Sequence, residues 1–451
     1  INLLDTPGHQ DFSEDTYRAL MAADSAIMLL DNRRGVEVQT RKLFNVCQKR
    51  RLPIFTLVNK CDRAGEDPFG IIDDVQNDLG IRAFAATWPI RVGGRLIGVY
   101  DRMDARVILY DAATDHGQSR PEFTVGTLDD PLLDERMGSA GADAVREEIT
   151  LLTEAGEPMD PEAVARGEAT PVFFGSALTN FGIDVLLERF LEAAPAPVAR
   201  ESADGLVDPV DSPFSGFVFK IQANMDLKHR DRVAFLRVCS GRFEAGADAV
   251  IARTGKTVRL SQPQEFMARE RSHAEDAVAG DVVGLHDRGS LRVGDTVAVG
   301  KTMDFPGVPR FSPEHFSQVH LDNPMKRKQL DKGLTHLAEE GTVLLLFAPS
   351  ITGPVPIVGA VGQLQFDVLK DRLEREYNVR ARLAGLPYHC ARWVTGSEAE
   401  AKDIASLHGR RMVEDVDGHP MILFDNEWAL QRSMNQSENV VFHDVQPKKL
   451  R

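Results

Sequence analysis

An α/β sheet domain, then a β-barrel, then an α+β unit of the split βαβ kind is the architecture this sequence predicts over its 451 residues. Three observations carry that prediction. Residues 1–195 alternate apolar runs with amphipathic helical patterns, the mark of a parallel sheet covered by helices. Residues 213–305 change to short alternating strands broken by Gly turns. From 309 to 451 the pattern opens with strand, helix, two strands, helix, strand. The length agrees, since about 150 residues per domain gives about three.

Within the first part, residues 24–31 and 52–59 read as buried strands, and Val36, Thr40, Leu43, Phe44 and Cys47 recur between them at helical spacing. Residues 171–175 form another strand, followed by a helix over 183–191 with Leu186, Leu187 and Phe190 inward. Residues 91–170 interrupt the alternation with a hairpin over 96–110, a polar loop and a helix near 144–153, and read as an insertion. The Ala/Pro run at 193–198 and the polar run 200–212 form a linker. Strands at 217–221, 232–239 and 281–285 build the barrel, with turns at Ser240-Gly241 and Val293-Gly294-Asp295. In the last part, Asn323-Pro324 starts a helix with Leu330, Leu334 and Leu337 inward, and Gly341 ends it. Strands at 343–347 and 357–361 follow, then a helix carrying Phe366, Leu369, Leu373 and Tyr377, then a strand from Val379. No internal repeat is evident in the sequence.

Lys and Arg number 53 against 68 Asp and Glu, a net charge of −15, with 43% hydrophobic and 27% charged residues. That balance excludes a disordered polymer, a collagen-like fibre and a protein that grips nucleic acid through bulk positive charge. Cys47, Cys61, Cys239 and Cys390 offer neither CxxC nor a zinc spacing, which fits a reducing, cytosolic setting. Residues 341–366 carry no charge, but Pro349, Pro354, Pro356, Gly353, Gly359 and Gly362 break the run into two short strands rather than a membrane span. No signal peptide is visible at the present N-terminus.

The strongest local motif is Leu3-Leu4-Asp5-Thr6-Pro7-Gly8-His9. A strand ending in Asp and running into a Gly loop suits the Mg²⁺ and γ-phosphate side of a P-loop nucleotide hydrolase. The carboxylate of Asp5 suits a hard cation, and the Cβ-free Gly8 lets a backbone N–H approach phosphate. His9 follows where an attacking water must be oriented. Asp-x-x-Gly is also an ordinary turn, and Asp11, Glu14 and Asp15 in the next helix start are explained equally by the helix dipole. Asn59-Lys60-Cys61-Asp62 follows a buried strand, where a carboxylate can accept from the N1–H and N2–H₂ edge of guanine; adenine has no such donor pair. Asn59 can tie neighbouring loops while the Lys60 stem covers the base. Ser176-Ala177-Leu178, beyond a third strand, would let a backbone N–H reach the guanine carbonyl. Each of the last two is weak alone; three such loops in order on one sheet are strong together.

With these residues in view, DTPGH, NKCD and SAL resemble the third, fourth and fifth guanine-nucleotide motifs of the translational GTPases. The phrases WPI (88–90), FVFKIQANM (217–225), KHRDRV (228–233) and VGAVGQLQF (358–366) resemble the branch of that family that acts in translation termination. The resemblance spans nearly the whole chain. It implies a P-loop-GTPase-type sheet domain over 1–195, GTP and GDP with Mg²⁺ as ligands, and the ribosome, through rRNA and ribosomal proteins, as partner. It further implies an enzyme, monomeric off the ribosome, that binds after peptide release and promotes dissociation of the codon-reading release factor with GTP hydrolysis. Asp5 would hold Mg²⁺ through water, Thr6, Pro7 and Gly8 would face the γ-phosphate, and His9 would orient water; Asn59, Lys60, Cys61, Asp62, Ser176, Ala177 and Leu178 would hold the base.

The family's first motif, Gly-x-x-x-x-Gly-Lys-Ser/Thr, does not precede Asp5, and the chain opens on Ile1. The sheet domain is therefore expected to be incomplete: an N-terminally truncated fragment that binds nucleotide weakly or not at all, from a complete protein that hydrolyses GTP. The run from Gly289 to Thr296 imitates the motif's spacing, but Asp295 stands where the phosphate-binding Lys belongs, so it reads as a barrel turn. Basic clusters at Lys49-Arg50-Arg51, Lys228/Arg230/Arg232 and Lys326-Arg327-Lys328 are candidates for ribosome contact or plain solvated surface. His315 and His320 do not make a metal pair, and Trp88 and Trp393 read as packing residues. Alternatives are an elongation-factor-G-like or ribosomal-protection GTPase, a non-catalytic ribosome-binding module, or a metal-dependent hydrolase using Asp5 and His9.

Overall fold

A computed structural model describes residues 1–8, 13–111, 120–156, 158–223, 232–260, 264–267, 270–273, 276–287, 289–300, 303–306, 308, 310–348 and 355–447. The chain divides into two compact units, residues 23–196 and residues 1–22 with 197–451.

In the unit 23–196, four parallel strands lie in the order Ala26–Asp31, Ile54–Asn59, Ala169–Phe174, Arg82–Ala85. The two central strands are buried on both faces, as strands covered by helices must be. Phe55, Leu57, Phe84, Phe173 and Leu186 form the core under the helices Pro161–Ala165 and Ile183–Ala193. Parallel pairing sets the strand ends level: Asp31 stands opposite Asn59, and Val58 opposite Phe174. The loops that leave these C-terminal ends emerge on one side of the sheet. The insertion is a second, antiparallel sheet of Thr87–Val92, Arg95–Asp101, Arg106–Tyr110 and Phe123–Gly126, followed by helices Pro131–Met137 and Ser139–Ala155. It opens at Thr87, ahead of the break expected at 91, because the apolar run through Trp88 pairs with 95–101 instead of extending the parallel sheet.

In the other unit, an antiparallel sheet in the order 257–259, 248–251, 296–298, 215–223, 232–240, 282–286, 264–267, 270–273 forms the β-barrel region. Its core includes Val218, Leu236, Val238, Phe243, Leu260 and Val297. The run from Gly289 to Thr296 is the expected turn: Gly294 has φ +90°, and buried Asp295 takes Arg253 at 2.6 and 2.8 Å and the Arg292 N–H at 2.8 Å.

The last region holds more than the one split βαβ unit expected. Strands His315–Leu321, Leu344–Ala348, Val355–Ala360 and Ala381–Gly385 with helices Arg327–Glu339 and Leu364–Tyr377 make the unit read from sequence. Strands Cys390–Gly396, Arg410–Asp415, Pro420–Phe424 and Val440–His443 with helices Glu398–Ser406 and Glu427–Gln436 make a second one. Leu346 opposite Asp415 and Phe347 opposite Glu414 join them into one eight-stranded sheet. Each half packs its helices over its own core. The helix-free faces share a third core of Phe316, Leu346, Ile357, Ala391, Trp393, Met421 and Leu423. The repeat is one of topology, carried by different side chains, so no sequence period announces it.

Two further expectations are corrected. Residues 1–8 form no strand, and Ile1 and Leu3 are 85% and 82% exposed. An apolar run becomes a strand only when a neighbour takes its backbone hydrogen bonds, and among the described residues none does. Arg232 is no surface cation: it is buried with Asp287 at 2.9 Å and Glu339 at 2.6 Å, while Lys228 and Arg230 lie outside the described residues. Trp88 and Trp393 are fully buried, with indole N–H groups donated to Glu148 and Asp415. The uncharged run 341–366 contains the strands Leu344–Ala348 and Val355–Ala360, and among the described residues no helix is long and apolar enough to cross a membrane.

Candidate nucleotide site

The loops beyond Ile54–Asn59 and Ala169–Phe174 are fastened to each other by side chains. Asn59 Oδ1 accepts the backbone N–H of Lys60 at 2.7 Å and of Ala177 at 2.9 Å. The Ser176 hydroxyl, fully buried, donates to Asp62 Oδ1 at 2.7 Å. Backbone bonds complete the frame: Gly175 N–H to Val58 C=O at 3.0 Å, and Cys61 N–H to Gly175 C=O at 3.1 Å. Ser176 is also bridged to Phe181, which closes its own loop. Asp62 keeps only 16% of its side chain exposed, with Arg63 3.4 Å from its other oxygen, Oδ2. Cys61 is buried and its thiol is pushed up to about 11 by that burial, so its role is packing. Leu178 is about half exposed at the loop rim.

Two residues that the motif reading did not single out hold this frame. Asp31 ends the neighbouring strand and receives the Lys60 ammonium at 2.8 Å; Lys60 itself has φ +65°. That hydrogen bond, and a second from the Arg33 N–H, hold the Asp31 carboxyl below its ordinary range. Asn32, fully buried, donates to Arg63 C=O at 3.0 Å and accepts from Arg91 at 3.0 Å. Gly65 passes so close to Asn32 that a Cβ there would lie 2.1 Å from its amide nitrogen. The available signal was position: a polar pair at the end of an edge strand, level with Asn59, although that strand is only partly buried and not the buried strand expected at 24–31.

Asp5, Thr6, Pro7 and Gly8 belong to the other compact unit. Asp5 is exposed and makes no ion pair among the described residues, and Gly8 has open space where a Cβ would stand. Leu4 packs against the barrel-side core and Asn2 donates to Asp281 at 3.1 Å. His9 lies outside the described residues. Among the described residues, Asp415, Asp417 and His419 come within ligand distance of one another, but they are already engaged: Arg292 and Arg310 hold Asp417, and Trp393 and Gln446 hold Asp415.

A parallel nucleotide-type sheet, a barrel and a split-βαβ region in this order are the frame of a translational GTPase. Comparison with known proteins agrees. Residues 1–196 match the family "Elongation factor Tu GTP binding domain", residues 213–300 "Elongation factor G domain 2", and residues 305–434 "Class II release factor RF3, C-terminal domain". Peptide chain release factor 3 of Symbiobacterium thermophilum is 49% identical over 98% of this chain and 83% of that protein. That of Gloeothece citriformis is 47% identical over 99% of the chain and 83% of its own length. A crystal structure of a Thermus thermophilus protein superposes with a TM-score of 0.67 at 25% identity, covering 93% of this chain and 61% of that one. The chain belongs to the peptide chain release factor 3 family.

Proposed function

We propose that the protein is a ribosome-dependent GTPase of translation termination in which Asn59, Lys60, Asp62, Ser176, Ala177 and Leu178 hold the guanine base, with Cys61 packed beneath their loop. The observation that carries this reading is the pair of hydrogen bonds that join Asn59 to Ala177 and Asp62 to Ser176. With Oδ1 taken by the Ser176 hydroxyl, the Asp62 carboxylate is fixed in orientation before any ligand arrives. A carboxylate so held can accept from N1–H and N2–H₂ of guanine, and adenine offers no such donor pair. Lys60, pinned to Asp31, lays its stem beside the base position.

On the phosphate side, Asp5 would hold Mg²⁺ through water, an assignment its exposed hard oxygen donors fit; the ion neutralises charge on the phosphates when bound. Gly8 would present its N–H to the γ-phosphate, with Thr6 and Pro7 shaping that loop, and His9 would orient the attacking water. Domains at 1–195, 213–305 and 309–451 would divide the labour between nucleotide and ribosome. The protein would act in the cytoplasm as a monomer off the ribosome, and would promote departure of the codon-reading release factor after peptide release. The test is turnover of GTP against ATP, with and without ribosomes, in the protein as the cell makes it. Ribosome-stimulated GTP hydrolysis with ATP ignored is expected; equal rates for the two nucleotides contradict the base assignment.

A further inference from the structure

The antiparallel sheet of the insertion is clasped to the helix Ile183–Ala193, which follows the Ser176-Ala177-Leu178 loop. Arg106 Nη2 donates to Glu188 at 2.6 Å, and Arg189 Nη2 donates to Asp101 at 2.6 Å, where the Asp101 side chain is fully buried. At the helix start, the Tyr110 hydroxyl donates to Asp184 Oδ1 at 2.7 Å. Asp184 and Glu188 stand one turn apart, so the strands Arg95–Asp101 and Arg106–Tyr110 meet one side of the helix. The hydroxyl that reaches Asp184 also accepts the Gly182 N–H at 2.9 Å. Its ring stacks on Phe181, with centroids 4.6 Å apart and planes 10° from parallel. Tyr110 is 3% exposed; burial, and then the Asp184 carboxylate, push its pKa up, so the hydroxyl stays protonated and donates and accepts at once.

The segment gripped in this way is the return limb of the base loop. The Ser176 N–H donates to the Phe181 carbonyl at 2.9 Å, and the hydroxyl of the same serine fixes Asp62. Two glycines let the limbs approach. A Cβ on Gly175 would lie 2.7 Å from the Phe181 carbonyl oxygen, and one on Gly182, whose φ is +76°, would lie 2.5 Å from the Phe174 carbonyl oxygen. As N-cap of the helix, Gly182 brings no side chain to hold the helix start. Tyr110 takes its N–H from the inserted sheet instead. On the outgoing limb, the Phe174 N–H donates to the Thr87 hydroxyl at 2.9 Å, where the inserted sheet begins. Both limbs are thus tied to the insertion, whereas Asn59 and Asp62 tie Ala177 and Ser176 to the neighbouring strand end.

We infer that Tyr110 is a positioning residue for base selection, which holds the Phe181-Gly182 limb so that Ser176 keeps the Asp62 carboxylate aimed at the guanine edge. The inference rests on the base assignment proposed above and deepens it: the insertion that separates the two base motifs in sequence braces the second of them. A loop anchored at Asn59 and Asp62 alone would be free to turn about those two contacts. A third anchor on the far limb removes that freedom before a base binds, which lowers the ordering cost of binding. A phenol suits the place because one hydroxyl serves two partners while the ring packs; phenylalanine keeps the packing alone.

The test compares Tyr110→Phe, Ser176→Ala, the Tyr110→Phe/Ser176→Ala pair and Arg146→Ala in the protein as the cell makes it. The Arg146 side chain binds Leu128, Asp134 and Asp143, all within the insertion, so its loss is the control for an insertion loosened elsewhere. Equilibrium binding of GDP and of ADP is measured for each protein. Tyr110→Phe is expected to weaken GDP about fivefold and to leave ADP unmoved, so that the preference for GDP falls about fivefold. The double variant is expected to be no worse than Ser176→Ala alone, because Tyr110 acts through that serine, and Arg146→Ala to keep the full preference. Unchanged GDP affinity in Tyr110→Phe, equal weakening of GDP and ADP, losses that add in the double variant, or the same loss of preference in Arg146→Ala overturns the brace. An unmodified protein that binds GDP and ADP alike overturns the base assignment itself, and the brace with it.

Discussion

At the ends of the parallel strands, Asn59 Oδ1 accepts two backbone N–H groups and the Asp62 carboxylate accepts a buried Ser176 hydroxyl, whereas Asp5 stands exposed in a stretch with neither strand nor helix. The two halves of the nucleotide motif set are thus built on different terms. The base loops are shaped by the sheet they leave and by side chains that cross between them, so their geometry exists before a ligand does. The phosphate loop takes its position from what adjoins it, chiefly the helix Ser13–Ala22, whose Thr16 hydroxyl donates to the Pro7 carbonyl at 3.4 Å and whose Arg18 donates to the Glu340 and Gly341 carbonyls. If that loop meets the γ-phosphate as proposed, it gains from such an arrangement, since a fully prebuilt loop would be the same with and without the phosphate. On the proposed reading, affinity and base choice would belong to the first half, and rate and signalling to the second.

His9→Ala should separate the two halves most sharply. It is expected to lower ribosome-stimulated turnover by about 10²–10⁴-fold while nucleotide affinity is kept, which single-turnover kinetics and equilibrium binding resolve. Unchanged turnover would remove His9 from the mechanism. Asp62→Asn acts on the base loops: it should reduce the preference for GDP over ADP by about 10²-fold or more, because an amide cannot accept from both guanine donors. Retention of the full preference in competition binding contradicts that role. Ser176→Ala is milder. It leaves Asp62 in place but frees one oxygen, and should weaken GDP binding by about tenfold with turnover at saturating nucleotide little changed. A drop in saturated kcat larger than the loss in affinity would mean the two halves are not separable.

Asp31 should matter least. Its carboxyl is held below the ordinary range by the Lys60 hydrogen bond, then by the Arg33 N–H. A lowered folded-state value means that its contribution is present above the ordinary carboxylate range and is lost as pH falls through the lowered value. With Lys60 57% exposed, solvent screening keeps the contribution to about 0.5–1 kcal/mol. Asp31→Asn should therefore cost about that much at neutral pH and flatten the acid limb of a stability-against-pH profile. An unchanged acid limb would show that the Asp31–Lys60 pair does not brace the base loop.

Much of this was legible in residue patterns, and the parts that were not have physical reasons. Buried strands at 54–59 and 169–174 announce themselves because they are covered on both faces and apolar throughout. The Asn59 tie was readable for the same reason, as a polar side chain at a strand end has few other partners. The second split βαβ unit was hidden because its helices Glu398–Ser406 and Glu427–Gln436 are short and largely polar, and half of its packing lies on the helix-free face around Trp393 and Met421. Arg18 was hidden too: in the sequence it is one charge among several in a helix start, and only folding brings the Glu340 and Gly341 carbonyls to it. The apolar run at 3–4 misled in the opposite direction, because hydrophobicity proposes a strand and a pairing neighbour must supply it.

If preformed side-chain ties between two strand-end loops make a guanine site, the protein must choose between bases without help from the ribosome. Equilibrium competition between GDP and ADP, in the protein as the cell makes it, reads that choice. GDP is expected to displace a fluorescent guanine nucleotide, and ADP to do so at least about 10²-fold less well; equal displacement by the two would contradict the guanine site.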